Sequence, residues 1–327
     1  MPDHLPGGAL VADSPALNRA AAAIRSGALV GMPTETVYGL AADALDGAAV
    51  LRIFAAKGRP RFDPLIVHCA DADQAWTVAE PSPRARRLAA ACWPGPLTLV
   101  LPRRSIVPDA VTSGLDSVGV RVPDHPLALA LIRACGRPLA APSANPFGRI
   151  SPTTAAHVRE QLGAAVAEIL DGGPCRVGVE STVLRPDPSP LILRPGGLIR
   201  ERIEEILGET VAIADRSLRA GQLALPAPGL LASHYAPRTP LRLRCPGEPW
   251  PNGAGWLAFT GRDLPETGQA VEILSANGDL AEAASGMFAA LRRLDAAHVP
   301  LIIAELVPET GLGEAINDRL RRAAGLG

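Results

Sequence analysis

The chain has 327 residues, 32 basic against 33 acidic side chains and a formal net charge of −1, with 47% hydrophobic and 20% charged residues. That balance is ordinary for a globular protein of about two domains and supplies no global basic field for nucleic acid. Five cysteines at 69, 92, 135, 175 and 245 are odd in number and contain no Cys-x-x-Cys, which argues against a disulfide frame or zinc site and for reduced thiols in a cytoplasmic setting. Met1-Pro2-Asp3-His4 opens without a basic start and apolar run, and no apolar stretch is long enough to span a bilayer.

Asp13-Ser14-Pro15 reads as a helix start, with helix over Ala16–Ser26 and Gly27 as its stop. Ala28–Met32 is a short apolar strand entering the loop Pro33–Thr36. Asp46–Ala56 reads as a second helix stopped by Gly58, and Leu65–Cys69 as a buried strand. Helices are predicted at 83–92, 126–135 and 153–162. Strands are predicted at 97–101, 118–122, 138–141, 166–170, 179–184 and 190–194. The order does not alternate strictly, so a mixed sheet is expected. Proline-punctuated segments mark 215–240 as a semi-rigid linker between a larger unit, 1–214, and a smaller one, 241–327. The smaller unit has strands Leu241–Arg244, Gly255–Thr260, Val271–Leu274 and Leu301–Val307, with helices near 279–297 and 313–324. This is a Rossmann-like α/β order without a glycine fingerprint.

Every basic residue except Lys57 is arginine. A lone ammonium among guanidiniums points to a position needing a compact charge, such as a phosphate contact; the alternative is a cation ending a helix. The common phosphate-loop, dinucleotide, zinc-protease and serine-elbow motifs are missing from the sequence. Polar groups instead gather in five loops. Pro33–Gly39 offers Thr34, Glu35, Thr36 and Tyr38. Lys57–His68 concentrates Lys57, Arg59 and Arg61, with Asp63 able to pair. Arg121, alone among valines, suits a bidentate grip on a carboxylate, or a structural pair with Asp124 or Glu180. Ser143 and Asn145 stand two apart between prolines, so in extended chain both point one way. Asp171–Pro174, Gly178–Thr182 and Arg194–Gly197 are glycine-rich turns that allow close backbone approach to a ligand. Trp93–Pro96 reads as a packed corner. His234-Tyr235, between prolines, is a candidate lid.

Together and in this order, PTETVYGL (33–40), KGRPRFDPLIVH (57–68), WPGPLTLVL (93–101), VGVRVPDHP (118–126), APSAN (141–145), DGGPCRVGVEST (171–182), LRPGG (193–197) and SHYAPRTPL (233–241) resemble the threonylcarbamoyl-AMP synthase family. That family carries a YrdC-like domain, a mixed twisted sheet with helices, and in its long form a C-terminal Rossmann-like domain. The resemblance covers about residues 10–240. It implies nucleotidyl transfer: L-threonine, bicarbonate and ATP, with Mg2+, become threonylcarbamoyl-adenylate and pyrophosphate. The product serves adenosine 37 of ANN-decoding tRNAs, with tRNA and other threonylcarbamoyl-transfer proteins as expected partners. By similarity Thr36, His68, Arg121, Ala141 and Ser181 surround threonine. Lys57, Arg59, Asp63, Ser117, Ser143, Asn145, Ser151, Arg194 and Tyr235 surround ATP, with Lys57, Arg59, Ser143 and Asn145 expected to carry the chemistry. No metal-ligating residue is assigned. Asp63 departs from the asparagine the family places there, and a carboxylate beside a triphosphate needs Arg59, Arg61 or a metal to offset it.

Two other readings remain. A double-stranded RNA-binding module would use Arg59, Arg61, Arg84, Arg86 and Arg87 as a basic face. A hydrogenase-maturation role would require acylphosphatase or zinc-finger segments, which this sequence lacks.

Overall fold

The computed structural model describes residues 14–214, 234–262, 264–265 and 270–326. Short-range signals start and stop its helices. Ser14 caps α1 (Pro15–Arg25) by accepting from Leu17 N at 3.1 Å, with proline in the first turn. A hairpin follows, β1 (Val30–Met32) and β2 (Gly39–Asp43), paired antiparallel with Met32 opposite Gly39. Asp46 caps α2 (Gly47–Lys57), which ends at the left-handed Gly58. Next come β3 (Ile66–His68), α3 (Ala72–Val78), α4 (Pro83–Cys92), β4 (Leu97–Pro102), α5 (Asp109–Thr112) and β5 (Ser117–Arg121). Then follow α6 (Pro126–Cys135), β6 (Leu139–Ala140), α7 (Ala155–Leu162), β7 (Glu168–Ile169), β8 (Thr182–Arg185), β9 (Leu191–Arg194), α8 (Arg200–Leu207) and β10 (Ala212–Ile213).

These strands form one mixed ten-stranded sheet in the order β10-β9-β8-β4-β5-β3-β6-β2-β1-β7. The second unit has β11 (Leu241–Leu243), β12 (Gly255–Ala258), β13 (Ala270–Ile273), α9 (Leu280–Ala296), β14 (Ile302–Ala304) and α10 (Gly313–Ala323). Its sheet, β11-β14-β12-β13, is wholly parallel. Of the expected linker, residues 215–233 lie outside the described residues. His234 and Tyr235 are buried in the protein.

The sequence reading does not include β2, α3, α5, α8 or β10. β2 is Gly-Leu-Ala-Ala-Asp, without the β-branched residues that mark a strand. It is fully buried between β1 and β6, where small side chains suit the crowding on both faces. One apolar cluster joins the two units: Val37, Ile150, Val179 and Tyr235 pack with Met287, Phe288 and Leu291 of α9 and Ile316 and Leu320 of α10.

Candidate active site

The hairpin loop between β1 and β2, the C-terminal ends of β3, β5 and β9, the segment after β6, and the turn before β8 meet at one cavity of about 50 Å³. Nine of the fourteen residues singled out from sequence line it: Thr36, Arg59, His68, Arg121, Ala141, Ser143, Ser181, Arg194 and Tyr235. Thr34, Glu180 and His234 also line it.

Arg121 is fixed from three sides. Its Nη2 lies 2.6 Å from Glu35 Oε1, its Nη1 donates to Thr36 Oγ1 at 3.0 Å, and its Nε donates to Gly95 O at 3.2 Å. The ion pair is therefore with Glu35, not with Asp124, which pairs with Arg176, nor with Glu180, which pairs with Arg319. The Trp93–Pro96 corner is structural, as read, and also presents the Gly95 carbonyl. Thr34 Oγ1, 2.9 Å from Thr36 Oγ1, donates to Val37 O at 2.6 Å and so shapes the loop. His68 stands opposite Arg121 in the β3–β5 register. Burial, then the neighbouring guanidinium, push its imidazole down to about 3, so it is neutral at ordinary pH. On the far wall, Ser181 Oγ is 2.8 Å from Thr98 Oγ1, and Arg194 donates to Ser181 O at 2.9 Å.

Lys57 ends α2 and also holds the 141–146 segment. Its Nζ donates to Ser143 O at 2.6 Å and to Asn145 O. It is fully buried and does not line the cavity; burial and then Arg59 lower its ammonium well below the ordinary value. Asn145 does not share Ser143's direction, because its amide is turned to Pro146 O at 2.9 Å and Arg149 O at 2.8 Å. Asp63 is 2.9 Å from Arg59 Nη2, and Arg59 also donates to Asp63 O and Pro64 O. The carboxylate thus pairs behind the cavity wall, the compensation its position demanded. Ser151 likewise lies behind the wall, 2.5 Å from Glu180 Oε1. Ser117 is not brought to the site. It opens β5, about 13 Å from Arg121 at strand rise, and lines a separate cavity with Pro102 and Arg185.

Tyr38 is a clamp on the 171–173 turn. Its hydroxyl donates to Gly173 O at 2.8 Å and accepts from Gly172 N at 3.0 Å, and burial pushes it up to about 12. Two glycines read as ligand-facing instead serve the protein's own packing. A Cβ on Gly196 would sit 2.4 Å from Glu180 O, and one on Gly178 2.4 Å from Ser285 Cα of α9.

Two family models cover nearly the whole described chain. One, described as "Telomere recombination", matches residues 22–196; the other, "Threonylcarbamoyl-AMP synthase, C-terminal domain", matches 198–325. Threonylcarbamoyl-AMP synthase of Bacillus subtilis is 43% identical over 334 residues, covering 97% of this chain and 95% of its own length. The chain belongs to the threonylcarbamoyl-AMP synthase family. The synthase of Pyrococcus abyssi is 44% identical over 323 residues, 94% of this chain and 93% of its own. The crystal structure of P. abyssi Sua5 complexed with L-threonine superposes with a TM-score of 0.86 at 42% identity, over 95% of this chain and 94% of that one.

Within this synthase fold, sequence reasoning gave no ligand role to Glu35, Glu180 or Arg319, whereas His234, read with Tyr235 as a candidate lid, lines the cavity. Glu35 and Glu180 sit inside motifs that point to the site, but their partners are far away in sequence. Arg319 has no local signal at all. Among the described residues no three His, Cys, Asp or Glu side chains group to hold a metal. Glu35, Asp63 and Glu180 are all taken by arginines. The described protein groups therefore do not fit a resident Mg2+ site.

Proposed function

We propose that this chain joins L-threonine, bicarbonate and ATP into L-threonylcarbamoyl-adenylate, releasing pyrophosphate by nucleotidyl transfer. The observation that carries this reading is the convergence of nine family-motif residues on one cavity lined by three guanidiniums and one carboxylate. Arg121, with the Thr36 and Ser181 hydroxyls and neutral His68, forms the half suited to an amino-acid carboxylate. Arg59, Arg194 and the Ser143 hydroxyl form the half suited to phosphates. Threonine's amine and bicarbonate give a carbamate with loss of water. A carbamate oxygen then attacks the α-phosphorus, the bond to the β-phosphate oxygen breaks, and pyrophosphate leaves. Such a transfer needs positioning and charge neutralisation rather than a protein nucleophile. Lys57 positions the Ser143 segment rather than touching phosphate. Magnesium enters with ATP as its counter-ion, since Mg2+ is commonly bound through substrate phosphates.

Tyr235 is 1% exposed and its hydroxyl has no hydrogen-bond partner among the described residues. With Tyr235 and His234 in place, the cavity of about 50 Å³ has room for a few waters only. ATP therefore enters when this pair withdraws, and its return excludes water from a labile mixed anhydride.

The test is incubation with threonine, bicarbonate, magnesium and labelled ATP. Threonine-dependent adenylate and pyrophosphate are expected; their absence refutes the reading. Delivery to adenosine 37 of ANN-decoding tRNAs, with tRNA and transfer proteins as partners, follows from this product. The RNA-module reading is weaker. Arg59 is buried on Asp63, Arg84 binds Asp187 and Glu209, Arg86 lies over Trp76, and Arg87 donates to Ile206 O. Arg59 and Arg84 are thus committed to carboxylates, and Arg61, Arg86 and Arg87 alone stay exposed to form a basic face. Among the described residues no helix is long and apolar enough to cross a membrane.

A further inference from the structure

α10 carries Asp318, Arg319 and Arg322, charged residues that are all buried, with both arginines at 0% exposure. Burying charge is costly unless it is paired, so their placement needs a reason. Asp318 binds both arginines, at 2.8 Å to Arg319 Nη1 and 3.0 Å to Arg322 Nε. Arg319 then reaches out of its own unit. Its Nε donates to Glu180 Oε2 at 2.7 Å, its Nη1 donates to Pro195 O at 3.0 Å, and its Cζ stands 5.0 Å from the Tyr235 ring centroid. Arg322 O accepts from His234 N at 3.3 Å. The second unit thus grips Glu180, the turn after β9 and the His234–Tyr235 pair.

We infer that Arg319 is a positioning residue for the nucleotide half of the cavity, a cross-unit strut that neutralises and orients Glu180 and seats the Tyr235 ring. This rests on the reading of the cavity as an ATP site. Glu180 faces the cavity beside Arg194, and a free carboxylate there would repel a triphosphate. Burial favours its protonation, yet Arg319 and Arg194, with the Ser151 hydroxyl, hold it below the usual carboxylate range. Around the cavity six buried cations (Lys57, Arg59, Arg121, Arg194, Arg319, Arg322) meet four buried carboxylates (Glu35, Asp63, Glu180, Asp318). Removing Arg319 would halve that positive surplus and release Glu180 toward the phosphates. Threonine's half is held separately by the Arg121–Glu35 pair, so the two ligands should respond differently. The strut has a fixed base. Asn317 bonds both Val307 N and Val307 O, and Arg292 of α9 donates to Ile150 O at 2.7 Å.

The experiment measures binding of a non-hydrolysable ATP analogue and of threonine by calorimetry, with thermal melting alongside. Arg319→Met should weaken the analogue at least tenfold and threonine less than threefold. Adding Glu180→Gln to that variant should bring analogue affinity back within threefold of the wild type, because both buried charges are then gone. Arg319→Lys keeps the charge, guards against loss of folding, and should cost about threefold for the analogue alone as the fork is lost. Equal losses for both ligands, or no recovery in the double variant, would mean that Arg319 only holds the fold. If wild-type protein retains threonine but no analogue, the ATP reading itself falls, and this inference with it.

Discussion

Acidification should unfold this protein partly through His68, and the size of the effect follows from its position. The side chain is 3% exposed at the end of β3, opposite Arg121, and its imidazole is pushed from 6.5 to about 3. The folded value lies below the unfolded one, so the stability this residue permits is complete above pH 6.5. It is lost as pH falls through 6.5 toward 3, because the unfolded chain takes up the proton first. At pH 5 the difference in protonation withdraws about 2 kcal/mol, from roughly 1.4 kcal/mol per pH unit below the unfolded value. The assay is urea unfolding of wild type and His68→Gln at pH 7.5 and pH 5.0. Wild type should lose about 2 kcal/mol more than the variant between the two conditions. His234, His157 and His125, all shifted down by burial first, titrate in both proteins and largely cancel. Equal losses in the two proteins would refute the reasoning, since His68 would then be no more buried from protons when folded than when unfolded.

Three further outcomes are expected. Lys57→Arg should lower turnover at least tenfold, because a guanidinium does not fit the fully buried socket where one ammonium bonds Ser143 O and Asn145 O; near-normal turnover would reduce Lys57 to a helix end. Glu35→Gln leaves Arg121 without its buried partner and should cost about 3 kcal/mol of stability. Threonine, supplying a new carboxylate, should then raise the variant's melting temperature more than it raises the wild type's; equal shifts would remove Arg121 from the threonine site. Gly196→Ala drives a methyl into Glu180 O, Ser181 C and Thr182 N, backbone atoms that cannot yield. Its melting temperature should fall steeply, by the equivalent of more than about 3 kcal/mol, and a melt within two degrees of wild type, on the order of the error of such scans, would contradict the packing described.

Local chemistry was enough to read much of the scaffold. Ser14-Pro15 and Asp46 announce helix starts, Gly58 stops a helix in the left-handed conformation, and β4, β5 and β9 stand where apolar runs put them. The motif order likewise named most of the residues that meet at the cavity. What sequence left open was pairing. Arg121 takes Glu35, Lys57 takes two carbonyls 86 and 88 residues away, and Asn145 turns from Ser143 into its own bend. β2 passed unread because its glycine and alanines are chosen by neighbours on both faces. Caps, stops and periodicity act over a few residues, so the chain states them wherever it is read. Which carboxylate neutralises which guanidinium, and that Arg319 crosses 139 residues to reach Glu180, is fixed only when the sheet order and the docking of α9 and α10 bring distant charges into one low-dielectric space.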